Sequence, residues 1–202
     1  MKYRSTIYSI IILLSFLICG TFNASGQETM NHIVGNPVLQ DYFPHYKHFK
    51  SITDTLELPF FDDFSTSDFY PDQNKWTDNY AFINGTYAID PPSLGVATLD
   101  AIDNKGEFYD DAGYGNYFSA DTLSSLPINL NYPGDNSIYL SFYTEPKGRG
   151  DNPEPGDTLF LEFYSPTDTA WSMVWFRVWD EENHQDFIFV QNIIQINEDK
   201  YL

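Results

Sequence analysis

Asp62 and Asp63 stand side by side near the end of the apolar run LELPFFDDF, residues 56–64. Two adjacent carboxylates at a strand end are oxygen donors of the kind that Ca²⁺ takes up. Farther on, Asp100, Asp103, Asn104, Glu107, Asp110 and Asp111 crowd a glycine-bearing loop. That loop lacks the alternating carboxylates of an EF-hand, so a solvated acidic loop accounts for it more simply. Structural calcium at Asp62 and Asp63 is therefore the one cofactor expectation. His45 and His48 are close enough in sequence to share a metal, but no carboxylate or thiolate follows at a recognised spacing, and exposed linker histidines explain them better.

Catalytic constellations are missing. Gly-x-Ser-x-Gly, His-Glu-x-x-His and a phosphate-binding glycine loop do not occur. Glu162 stands alone on its strand, whereas glycosidases hold two carboxylates roughly 5 to 9 Å apart. The expectation is a protein that is not an enzyme, with glycoside hydrolysis as the least favoured alternative. Arg149-Gly150-Asp151 forms the tripeptide that adhesion ligands display, yet its glycines and aspartate are equally the chemistry of a turn between two strands.

The elements that must carry these residues centre on residues 137–179. Ile138, Leu140 and Phe142 alternate with Tyr139, Ser141 and Tyr143; Leu159, Leu161 and Phe163 alternate with Phe160, Glu162 and Tyr164. A period of two defines half-buried strands. A third run is expected to place Trp171, Met173 and Trp175 on one face. Shorter strands are expected at 56–64, 80–84, 96–100 and after the turn at Asp121. With 18% aromatic residues and no sustained helical pattern, the chain reads as all-β, an antiparallel β-sandwich of jelly-roll type.

Length and charge narrow the function. The 202 residues suit one such domain, over 56–202, preceded by an extended lead-in over 27–55. Acidic residues outnumber basic ones 29 to 10. Such a balance disfavours duplex nucleic acid and anionic membrane surfaces, which are bound through Lys and Arg. Lys2 and Arg4 precede an apolar run at 7–18, the pattern of a signal peptide spanning 1–26. Small residues before Gln27 place cleavage between Gly26 and Gln27, so no membrane insertion is expected afterwards. Acylation of Cys19 is the alternative, and Ile18 is bulky where a lipoprotein signal takes a small residue.

The series LPFFDDF, Trp76, PPSLGVATLD, ADTLSS, SIYLSFY, GDTLFLEFY and the Trp171/Trp175 pair resembles the MAM-like jelly-roll modules of secreted Bacteroidota-type proteins, from about Leu58 onward. The resemblance implies a concanavalin-like sandwich in a large surface protein exported by type IX secretion. Two departures are evident. Animal members carry cysteines, which the mature chain lacks, and family members continue with further strands beyond FIFVQNIIQI. The sandwich is accordingly expected to be incomplete at its C-terminus and the chain a fragment of a larger protein.

The same resemblance gives meaning to Asp-Thr-Leu/Ala at Thr55, Thr122, Thr158 and Thr169, which resembles the O-glycosylation acceptor of such bacteria. Asp-Thr as a plain strand starter explains the four copies equally well. Exposed aromatics near polar groups, among Tyr109, Tyr114, Tyr117, Tyr139, Tyr143, Trp179 and Asp180, are available for stacking on sugars. The expected function is a non-catalytic exported module for adhesion or for carbohydrate or protein recognition, its partner an extracellular glycan or a surface protein. A structural spacer without a ligand is the alternative.

Overall fold

The computed structural model describes residues 35–46, 54–66, 68–110, 112, 117–132, 135, 137–179 and 188–201. Among the described residues strands outweigh helices, 29% against 8%, and the named strands pair antiparallel, consistent with an all-β chain. Among the described residues the strands form three two-stranded ribbons: β1 (Phe82–Asn84) with β2 (Val96–Thr98), β3 (Tyr139–Thr144) with β6 (Val190–Gln195), and β4 (Thr158–Ser165) with β5 (Ala170–Val178).

The lead-in departs from the extended conformation expected of it. Helix α1 (Pro37–Tyr42) runs into a 3₁₀ turn at Phe43–His45. Asn36 caps α1, its Oδ1 accepting from the Val38 and Leu39 amides at 3.1 and 3.4 Å, and Pro37 supplies a helix-compatible φ in the first turn. The capped turn buries Leu39 in a cluster with Tyr46 and Tyr70, and Tyr42 meets Phe69 edge-on at 5.2 Å. Residues 35–46 thus belong with the core of the compact unit that follows.

Two expected strands prove irregular. Leu56 forms only an isolated parallel bridge to Ile128, and Pro59, with no N–H to donate, cannot continue a ladder. The segment after Asp121 is likewise stitched rather than paired: Thr77 and Leu126 amides donate to Ser124 and Lys75 carbonyls, each at 2.8 Å.

The two longer ribbons follow the expected period of two. Leu140 and Phe142 of β3 and Ile194 of β6 turn inward, while Tyr139, Tyr143 and Ile193 turn out. Phe163 and Val174 join Leu140 in a cluster with Ile138, Ile196 and Tyr201. Strand β5 does not keep Trp171, Met173 and Trp175 on one face. Leu161 pairs with Trp175 and Glu162 with Met173, so Val174 is an extra residue, a β-bulge that reverses the alternation. Trp175 therefore reaches Phe142 edge-on, ring centroids 5.2 Å apart, whereas Trp171 and Met173 stay exposed.

Candidate functional site

Asp62 is the acceptor around which the first apolar segment is fixed. Its Oδ2 accepts from Trp76 Nε1 at 2.7 Å, and its Oδ1 accepts from Lys75 Nζ and the Phe64 amide, both at 3.0 Å. The Phe64 ring stacks on Trp76, and its backbone sits at φ 53°, a conformation costly for a side-chain-bearing residue. Any Cβ at Gly95 would collide with the Phe64 carbonyl, so glycine is required there. Asp63 instead accepts from the Ser65 amide at 3.2 Å, and the Ser65 side chain together with that amide holds its carboxyl below the usual range. The calcium expectation finds no support in this geometry: a lysine ammonium already faces Asp62. Among the described residues no group of three or more His, Cys, Asp or Glu converges to hold a metal. His45 is exposed, and His48 lies outside the described residues.

The acidic loop is tied to the turn at Asp121 by a pair that composition alone did not single out. Asp121 Oδ1 accepts from the Tyr109 hydroxyl and Oδ2 from the Ala101 amide, each at 2.7 Å. Burial pushes Asp121 up to about 6, with repulsion from Asp100 adding to it and the hydrogen bonds opposing. Burial raises Asp100 as well, against the Ile102 amide and the Asn36 side chain. Tyr109 is raised by the same desolvation and by its bond to Asp121. These groups lock a turn; the tyrosine is thereby committed and leaves the set of sugar-stacking candidates.

Other expected positions are spread over the molecule. Thr55, Thr122, Thr158 and Thr169 are all exposed, Thr158 donating to the Gly156 carbonyl at 3.0 Å and Thr169 sitting at φ 52° in the β4–β5 turn. Arg149 and Asp151 are exposed, but the Arg149 amide is tied to the Tyr87 carbonyl at 2.7 Å, which docks the loop on the body. Gly26, Gln27, Cys19, Tyr114 and Asp180 lie outside the described residues. A cleft of about 340 Å³ is lined by Phe64, Phe69, Asn84 and Leu94 among others. Its polar side chains are spent internally: Asn84 donates to Thr98 Oγ1 at 2.7 Å and accepts from the Tyr87 amide, while Asp68 accepts from the Tyr70 amide. Sugar hydroxyls would find few free directional partners there.

Among the described residues the outer side of β4–β5 carries more exposed apolar side chains than the outer side of β3–β6, where Tyr139, Tyr143 and Ile193 face out. Cross-strand pairs Phe160/Phe176, Glu162/Met173 and Tyr164/Trp171 lie on the β4–β5 face, with Val178 opposite Thr158. Phe176 is 60% exposed, Trp171 57% and Met173 54%, and Phe160, Tyr164 and Val178 each more than two-fifths. Contiguous apolar surface of this kind on a folded chain marks an interaction site. The alternation of β4 was visible in the sequence; that β5 matches it became visible only through the bulge. Comparison with protein-family models, with curated proteins and with solved structures gives no match.

Proposed function

We propose that this chain is a non-catalytic recognition module that acts outside the cell by binding a protein surface through the outer face of β4–β5. The observation that carries this reading is the row of exposed Phe160, Tyr164, Trp171, Met173, Phe176 and Val178 on one face. Aromatic residues and Met are enriched where proteins meet, and charged residues are depleted at the centres of such contacts. Carbohydrate recognition is the weaker form, because sugars require several directional polar groups and this face is mainly apolar, with Glu162, the Tyr164 hydroxyl and the Trp171 indole N–H as its few free ones beside Thr158, which already donates to the Gly156 carbonyl. Export is supported by the apolar run at 7–18 behind Lys2 and Arg4. A MAM-like jelly roll, with β3–β6 against β4–β5, is supported by the Phe142–Trp175 contact and the cluster around Ile138.

The test compares wild-type chain with a Trp171→Ser/Phe176→Ser variant for retention on the surface of cells that export it. Retention should be lost in the variant, abolished by protease treatment of the cells, and insensitive to glycosidases. Equal retention of both proteins would overturn the assignment of the face. Absence of any retention or glycan-array signal, with a folded protein, would favour the spacer.

A further inference from the structure

We infer that the partner of the β4–β5 outer face is a second copy of the same face, which makes the module self-adhesive; this rests on the recognition reading above. An isologous interface requires a patch complementary to itself under a two-fold rotation, and the strand register supplies one. Across the ribbon, Phe160 pairs with Phe176, Tyr164 with Trp171, Glu162 with Met173 and Thr158 with Val178. A two-fold axis in the plane between two such faces, parallel to the strands, exchanges the members of each pair. Phe160 of one copy then lies over Phe176 of the other, and Tyr164 over Trp171. The same rotation sets Glu162 over Met173 of the other copy and so keeps the two Glu162 carboxylates apart.

Apolar area selects the same face, and its low charge permits self-contact. The chain carries 29 acidic residues against 10 basic ones, so two copies repel over most of their surfaces. On this face Glu162 is the one charged side chain among the eight residues of the four pairs. Six apolar side chains, each roughly half exposed, offer on the order of 600 Å² per copy, taking about 150–250 Å² for a whole aromatic side chain. The two copies together bury about 1,200 Å², the lower end of specific interfaces. A reversible dimer is the expected form, not an obligate one.

Sedimentation velocity of the full chain across the micromolar to hundreds-of-micromolar range tests the inference. The wild type should pass from monomer to dimer. Phe176→Ser or Trp171→Ser should raise the dissociation constant by at least about tenfold, and both side chains are exposed enough for the fold to survive, which circular dichroism checks. Glu162→Gln should tighten the dimer, a gain that damage to the fold does not produce. Tyr139→Ser/Ile193→Ser, on the outer face of β3–β6, should leave it unchanged. In a Cys19→Ser background, mixed Glu162→Cys and Met173→Cys chains should cross-link to each other faster than either does to itself. A wild type that stays monomeric throughout, or a dimer indifferent to Phe176 and Trp171, overturns the inference. The recognition reading is separable: it survives a monomeric result if cell-surface retention still depends on Trp171 and Phe176, and falls if it does not.

Discussion

Trp175 meets Phe142 edge-on at 5.2 Å with the rings perpendicular, although Trp171, four residues earlier on the same strand, faces outward. Without the extra residue Val174 the two tryptophans would share a face. The pair therefore separates the two sides of β4–β5 energetically. Trp175→Ala should cost about 2–4 kcal/mol through lost burial and a cavity, and Trp171→Ala under about 1 kcal/mol in the monomer. Urea midpoints of dilute protein measure both, and equal losses would refute the bulged register.

Asp62 holds three donors from one nearly buried carboxylate, its side chain only 7% exposed. Asp62→Ala strands the Trp76 indole N–H and the Phe64 amide, and should cost about 2–4 kcal/mol. Lys75 is a third exposed, so Lys75→Met should cost far less, under about 1 kcal/mol. Chemical denaturation of the two variants distinguishes a hydrogen-bond hub from an ion pair.

Asp121 is held near 6 by burial, above the ordinary value of about 3.9 of an unfolded chain. A carboxyl raised in the folded state binds its proton more tightly there. Its protonated form contributes stability that is fully present below about pH 4 and is lost as pH rises through 6. Acidification from pH 7 to 4.5 should therefore stabilise the protein by up to about 2 kcal/mol through this group, and Asp100 acts in the same direction. Melting curves across this window should show the slope in the wild type and a flatter one in Asp121→Asn.

The cap of α1 makes a fourth test. Asn36→Ala removes the acceptor of the Val38 and Leu39 amides and should cost about 1 kcal/mol. Asn36→Asp should retain most of that as a cap, while adding a charge beside Asp100, whose carboxyl Asn36 now hydrogen-bonds. Comparing the two variants at pH 4.5 and 7 isolates that repulsion, which should weaken as the pH falls because burial raises the Asp100 carboxyl.

The ribbons were legible because strand alternation is a local property: the sides taken by Leu140, Phe142, Leu161 and Phe163 follow from period two. The face of Trp175 was not, since a bulge is decided by what packs opposite and nothing in AWSMVWFRV marks Val174 as the extra residue. The helix was legible in principle from Asn36-Pro37, a cap followed by a first-turn proline, but its six residues are too few to show a period. Asp62 was singled out for its type and not for its partners. Lys75 and Trp76 are more than ten residues away, and only the folded chain brings their donors to it. The Asp121–Tyr109 pair was hidden for the same reason: the two lie 12 residues apart, Tyr109 in the acidic loop and Asp121 at the turn beyond it.

The nesting of the strands also sets an order of assembly. β4 and β5 are joined by the four-residue turn 166–169, a short closure with a small entropic cost. β3 must wait for β6, since Tyr139 pairs with Gln195 and Thr144 with Val190 across the whole of that hairpin. The late ribbon encloses the early one in sequence, so the hairpin is expected to serve as the folding nucleus and β6 as its closing clasp. Substitutions at Leu161 should then slow folding, while those at Ile194 should chiefly speed unfolding. Until β6 docks, β3 lacks its strand partner and the cluster around Ile138 lacks Ile196 and Tyr201, and that interval is when a chaperone would matter most.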